Sequence, residues 1–193
     1  MDNVESYLEQ LRLAIDSLPR DRLTRLGEIL YRAYTNNKQV FTVGNGGSAS
    51  TASHWAADIG KNTIGAHMTR FRVLSLNDNM AIITALANDI GYEHVFSEQL
   101  QNLIRPGDVL VAISASGNSP NVLRAIEYAQ SQCAEVVAIL GFQGGRAVDM
   151  ADLSIVVPSN HYGIIEDVHL VINHIVVDYF KAKLQDERSW AAA

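Results

Sequence analysis

The feature that most constrains this chain is a pattern used twice: a short, β-branched apolar run stops in a loop of glycine, serine and asparagine, and a helical stretch begins at once. Val40-Phe41-Thr42-Val43 runs into Gly44-Asn45-Gly46-Gly47-Ser48 and then a helical stretch through Ile59. Val109 to Ile113 runs into Ser114-Ala115-Ser116-Gly117-Asn118-Ser119 and then a helix-like segment from Pro120 to Gln130. Pro120 suits a first helical turn, where its missing N–H leaves nothing unpaired. Strand, loop, helix in that order, repeated, predicts parallel strands with crossover helices.

The rest of the chain fits that frame. Further β-rich runs lie at Arg72 to Leu76, Glu135 to Leu140 and Leu153 to Val157, and a last long helix is expected from about Ile164 to Lys183. Val4, Leu8, Leu11 and Ile15, then Leu23, Leu26, Ile29, Leu30 and Ala33, recur at helical spacing on either side of Pro19 and predict two N-terminal helices. The class is α/β, a sheet of parallel strands covered by helices on both faces in a three-layer sandwich. With 193 residues and neither a Pro/Ser-rich linker nor a solenoid-length repeat, one domain is expected over 1–185, with 186–193 as a tail.

Composition excludes several roles. A net charge of -6 gives no overall basic field, so direct nucleic acid binding is not expected. No apolar run reaches membrane-spanning length, and the acidic first ten residues do not read as a secretory signal. Cys133 is the one cysteine, which rules out an internal disulfide and fits a reducing, cytoplasmic setting; its apolar flanks suggest a buried filler.

Both loops sit where ligands of open α/β sheets bind, beyond the carboxyl ends of strands. In the first, glycines let backbone approach a ligand, N–H groups at the helix start face outward, and Ser48 adds a hydroxyl. In the second, Ser114, Ser116 and Ser119 offer hydroxyls with no lysine. Neither is a P-loop or a GxGxxG fingerprint, so no nucleotide cofactor is expected. Taken singly, each is equally a tight or capped turn; two on one sheet point to a phosphate.

In order and spacing, Gly44-Asn45-Gly46-Gly47-Ser48-Ala49, His54 and Asp58, Ala87-Asn88-Asp89, Ser114 to Ser119, and Glu166 to His174 resemble the sugar isomerase (SIS) family over nearly the whole chain. The likeness is nearest to its branch acting on sedoheptulose 7-phosphate. It implies a five-stranded parallel sheet, a homotetramer with active sites at subunit interfaces, and a sugar phosphate substrate. Ser114, Ser116 and Ser119 would hold the phosphate, with Asn45, Gly46, Gly47 and Ser48 from the first loop and Asn88 and Asp89 also at the substrate. Ala115 stands where those isomerases usually carry threonine, leaving backbone N–H groups to compensate. Lys61, in Ile59-Gly60-Lys61-Asn62, falls one position before the arginine of the family's Gly-Arg pair and is either its substitute or a solvated lysine.

Moving a proton between adjacent carbons through an enediol needs a base, and an acid or cation to polarise the carbonyl. His54 and Asp58 are four apart on one helical face, a spacing that by itself more often marks a helix-face hydrogen bond. By the resemblance, Asp58 matches the catalytic glutamate and His174 the catalytic histidine. In some members the matching positions bind zinc, which here implies His54, Asp58, Glu166 and His174, a donor set acceptable to a divalent metal. The rivals are an isomerase of a different sugar phosphate, a non-catalytic adaptor of the same fold associating with a replication initiator, and a transcriptional sugar-phosphate sensor, for whose DNA-binding domain the chain has no room.

Overall fold

The computed structural model of the chain describes residues 3–62 and 70–191. Two helices, α1 (Asn3–Asp16) and α2 (Arg20–Thr35), precede the alternation β1 (Val40–Val43), α3 (Gly47–Asn62), β2 (Val73–Ser75), α4 (Met80–Asp89), α5 (Ser97–Leu103), β3 (Val109–Ser114), α6 (Pro120–Ser131), β4 (Glu135–Gly141), α7 (Ala147–Met150), β5 (Leu153–Val157) and α8 (Tyr162–Ala191). The five strands are all parallel and lie in the order β2-β1-β3-β4-β5. The order reverses between β1 and β3, the switch point that opens a crevice at the carboxyl ends of an open sheet.

Strand periodicity divides the core in two. Val109, Val111 and Ile113 of β3 face one side with α1, α2, α3 and α8, whereas Leu110 and Ala112 face the other with α5, α6 and α7. β3 and β4 are buried along nearly their whole length, as expected of central parallel strands covered on both faces. The expected sandwich is therefore the observed one. Some boundaries differ: β2 shortens to Val73–Ser75 at the sheet edge, α3 extends to Asn62, and α8 starts at Tyr162 and runs on to Ala191, so the 186–193 segment expected as tail is helical through residue 191.

Cys133 is exposed, not a buried filler. It has φ +56 in the turn between α6 and β4, so its apolar neighbours from Ala134 onward enter the strand while its own side chain stays outside.

Candidate functional site

The loop after β1 depends on its glycines. A Cβ on Gly44 would strike the carbonyl of Ser48, and Gly46 has φ +56 with nothing within 4 Å of where its side chain would stand. The amide of Asn45 is committed on both sides: it exchanges hydrogen bonds of 2.8 and 2.9 Å with Asn121, in the first turn of α6, and its Oδ1 accepts from the Tyr92 hydroxyl at 2.8 Å. Asn77 closes the other flank by donating to the Gly44 carbonyl at 2.7 Å. The two loops at the switch point are thus held at a fixed spacing by an amide pair.

In the loop after β3, Ser114 Oγ accepts from Gly117 N at 3.1 Å and Ser116 Oγ from Asn118 N at 3.2 Å. Each hydroxyl oxygen is pinned as an acceptor, which leaves its proton to donate to an anion. Ser119 precedes α6 without a side-chain capping bond. Ala115 is buried, and its carbonyl accepts from Gly141 N at 2.9 Å.

A third loop, Gly141 to Arg146, locks onto the second. Ala147 N donates to Gly117 O and Arg146 N to Asn118 Oδ1, both at 3.0 Å, and a Cβ on Gly117, whose φ is +62, would overlap the carbonyl of Gly144. The Phe142 ring meets Tyr162 edge-on at 4.9 Å, tying this loop to the start of α8. Sequence reasoning missed this loop, although Gly144-Gly145 after a strand repeats the pattern that marked the first.

α3 and α8 lie side by side and carry the titratable groups. Asp58 Oδ2 lies 3.1 Å from His54 Nε2 and 3.5 Å from His174 Nε2, and it accepts from Asn173 Nδ2 at 3.0 Å. The two imidazole rings are 5.5 Å apart. His54, Asp58 and His174 can bring their ligand atoms within 4.8 Å of one another, so two imidazoles and a carboxylate fit a divalent metal. Glu166 is not in that group: its carboxylate lies against Gly47, at the start of α3. Eight residues on a helix give nearly a common bearing but about 12 Å of rise, and that rise parts Glu166 from His174.

The remaining expected residues lie apart from the loops. Lys61 is exposed in the last turn of α3. Asn88 and Asp89 are exposed at the end of α4 and bond each other at 2.8 Å; their neighbour Ala87 lines a groove of about 480 Å³ beside Asn45 and Gly46. Around α8, Tyr7 donates to Asp167 at 2.7 Å, and that bond, with burial and the charges of Asp167 and Glu166, pushes its phenol above the ordinary range. His169 is fully buried with Nε2 3.0 Å from the Leu140 carbonyl and Nδ1 without a partner among the described residues; burial, only partly offset by that bond, lowers its pKa to about 4.

Residues 3–141 match the SIS domain family. The chain is 35% identical to the phosphoheptose isomerase of Pelobacter propionicus over 95% of its own length and 98% of the relative's, and 40% identical to that of Nitratiruptor over 77% and 79%. The structure of phosphoheptose isomerase from Neisseria gonorrhoeae superposes with a TM-score of 0.85 at 30% identity, over 93% of this chain and 95% of that one. The chain belongs to the SIS domain family.

Proposed function

We propose that the chain is a phosphosugar isomerase that interconverts a ketose phosphate and an aldose phosphate, with sedoheptulose 7-phosphate as the ketose. The observation that carries the reading is the convergence of His54 and His174 on one oxygen of Asp58, in a fold whose switch point is lined by anion-ready loops. The relatives named phosphoheptose isomerase support the substrate.

Ser114, Ser116 and Ser119 donate to the phosphate, helped by backbone at the start of α6 in place of a hydroxyl at Ala115. Asp58 removes a proton from C1 while His174 delivers one to the C2 carbonyl oxygen, giving the enediol. Asp58 then returns a proton to C2, the C1 hydroxyl proton passes to His174, and the aldehyde forms at C1. His54, Asp58 and His174 would also hold a zinc ion, which when bound would polarise the carbonyl as a Lewis acid in place of the proton from His174. An adaptor has no need of such a trio, which favours the enzyme over that rival.

The arrangement favours a homo-oligomer. Seven and eleven residues of α3, about 10 and 16 Å of rise, separate Gly47 from His54 and Asp58, so one chain's trio lies well down the helix from its own first loop. The apolar helix α4 has no buried residue, and Met80 is 64% exposed beside the first loop. A second copy covering α4 and presenting its trio to these loops would complete the site.

The test is to mix purified protein with sedoheptulose 7-phosphate and follow the anomeric proton region by NMR, with and without a chelator. Aldose signals made by the wild type and lost in Asp58→Asn and His174→Ala support the reading; no turnover of any sugar phosphate defeats it.

A further inference from the structure

We infer that Asn173 is a positioning residue for the Asp58 carboxylate, acting through a buried amide donor on α8. The inference rests on the reading of Asp58 as the base.

Asn173 sits in an apolar helical run, between Ile172 and His174, and is completely buried. A buried amide is costly unless both of its ends are paired. Here only one end is: Nδ2 donates to Asp58 Oδ2 at 3.0 Å, while Oδ1 has no partner among the described residues. A half-satisfied amide in a helix interface is not what stability would select, since an apolar side chain of similar shape fills such a place at no polar cost. The bond it does make points to the reason for its presence.

That bond can face only one way. An ionised carboxylate accepts and never donates, so the amide must turn its NH2 to Asp58 and leave its oxygen in the apolar interface. Asp58 is a shorter carboxylate than the glutamate its position resembles, and its side chain is 19% exposed. The oxygen held by Asn173 is the one that both imidazoles approach, at 3.1 and 3.5 Å. Holding Oδ2 against α8 fixes the rotation of the carboxylate, and with it the bearing of His54 and His174. Asn173 does not touch substrate; it acts through Asp58.

The test uses Asn173→Leu in the full chain. Loss of an outer partner of a reactive group typically costs 10- to 100-fold in activity or metal affinity, so kcat should fall about 10-fold with KM changed less than about 2-fold. The thermal midpoint should stay level or rise, because the unpaired Oδ1 leaves with the amide. A merely structural asparagine gives the opposite pattern, a lower midpoint with kcat intact, and that result overturns the inference. In the Asp58→Asn background Asn173→Leu should have no further effect on residual turnover; an equal further loss would mean that Asn173 acts independently of Asp58, and would also overturn it. If Asp58→Asn is as active as wild type, the isomerase reading of Asp58 fails instead. A readout free of activity separates the two: the Asn173 side-chain NH2 resonance, assigned by its loss in Asn173→Leu, should shift in Asp58→Asn, and a resonance that does not move overturns the inference whether or not the protein turns over sugar.

Discussion

Gly117→Ala attacks the contact that locks the second and third loops together. The alanine needs the left-handed conformation, φ +62, which costs a residue with a Cβ roughly 1–2 kcal/mol. Its methyl would also stand 2.6 Å from the carbonyl carbon of Gly144, a backbone atom that no rotamer change can move. The Gly144 carbonyl oxygen lies nearer still, so reaching ordinary separations of roughly 3.2–3.5 Å requires the two loops to part by more than about 1 Å. The bonds between them, Ala147 N to Gly117 O and Arg146 N to Asn118 Oδ1, are already 3.0 Å long, so at least one breaks at about 1 kcal/mol. The sum is about 2–3 kcal/mol, which lowers the thermal midpoint by about 4–12 °C in a chain of this size. Because the same shift unseats Ser114 and Ser116, KM for the sugar phosphate should rise more than kcat falls. Calorimetry and steady-state kinetics on one preparation check both. A variant with an unchanged midpoint and unchanged KM would refute the claim that the second and third loops are one rigid unit.

Other outcomes follow from the same structure. Gly47→Ala places a methyl on the Glu166 carboxylate, a flexible group that can swing aside, so stability should change by less than about 1 kcal/mol, and adding Glu166→Ala should restore any loss of activity; a large loss without rescue would mean that Glu166 does not lie there. His169, with a folded pKa of about 4 against an ordinary 6.5, binds its proton more readily when unfolded, so its contribution is complete above pH 6.5 and is lost as pH falls towards 4, in total about 3 kcal/mol. Urea denaturation from pH 7 to 4 should show His169→Leu with a flatter pH profile than wild type; equal profiles would contradict it. His54→Ala should weaken binding of cobalt(II), used as a spectroscopic substitute for zinc, by at least about 10-fold in titrations of the metal-free protein, and equal affinity would remove His54 from the donor set. Met80→Glu should dissociate an oligomer that covers α4, detected by sedimentation; an unchanged assembly would exclude α4 from the interface.

Much of this was legible in the sequence because local chemistry decides it. Val40 to Val43 and Val109 to Ile113 are β-branched runs with no polar interruption except Thr42, and the Gly/Ser segments after them leave the chain little choice but to turn into a helix. What escaped depends on distance in space. Spacing along α8 gives the bearing of Glu166 and its rise from His174, but not that the start of α3 at Gly47 is what stands beside it. Asn121 and Asn173 each bond residues far along the chain, Asn45 and Asp58, and no local pattern announces such a partner. The one available signal was a second polar residue one turn after His169, on a helix face that continues with Val176 and Val177. Asn88 and Asp89 were recognisable as a motif, but their exposure at the end of α4 is set by tertiary packing.

Deuterium oxide offers the most direct measurement. If Asp58 carries the hydrogen as a solvent-exchangeable proton, sedoheptulose 7-phosphate turned over repeatedly in D2O should give aldose deuterated at C2, and Asp58→Asn should give neither aldose nor label. Aldose that accumulates through many turnovers with only protium at C2, carried over from C1 of the ketose, would contradict the proton shuttle on which the account depends.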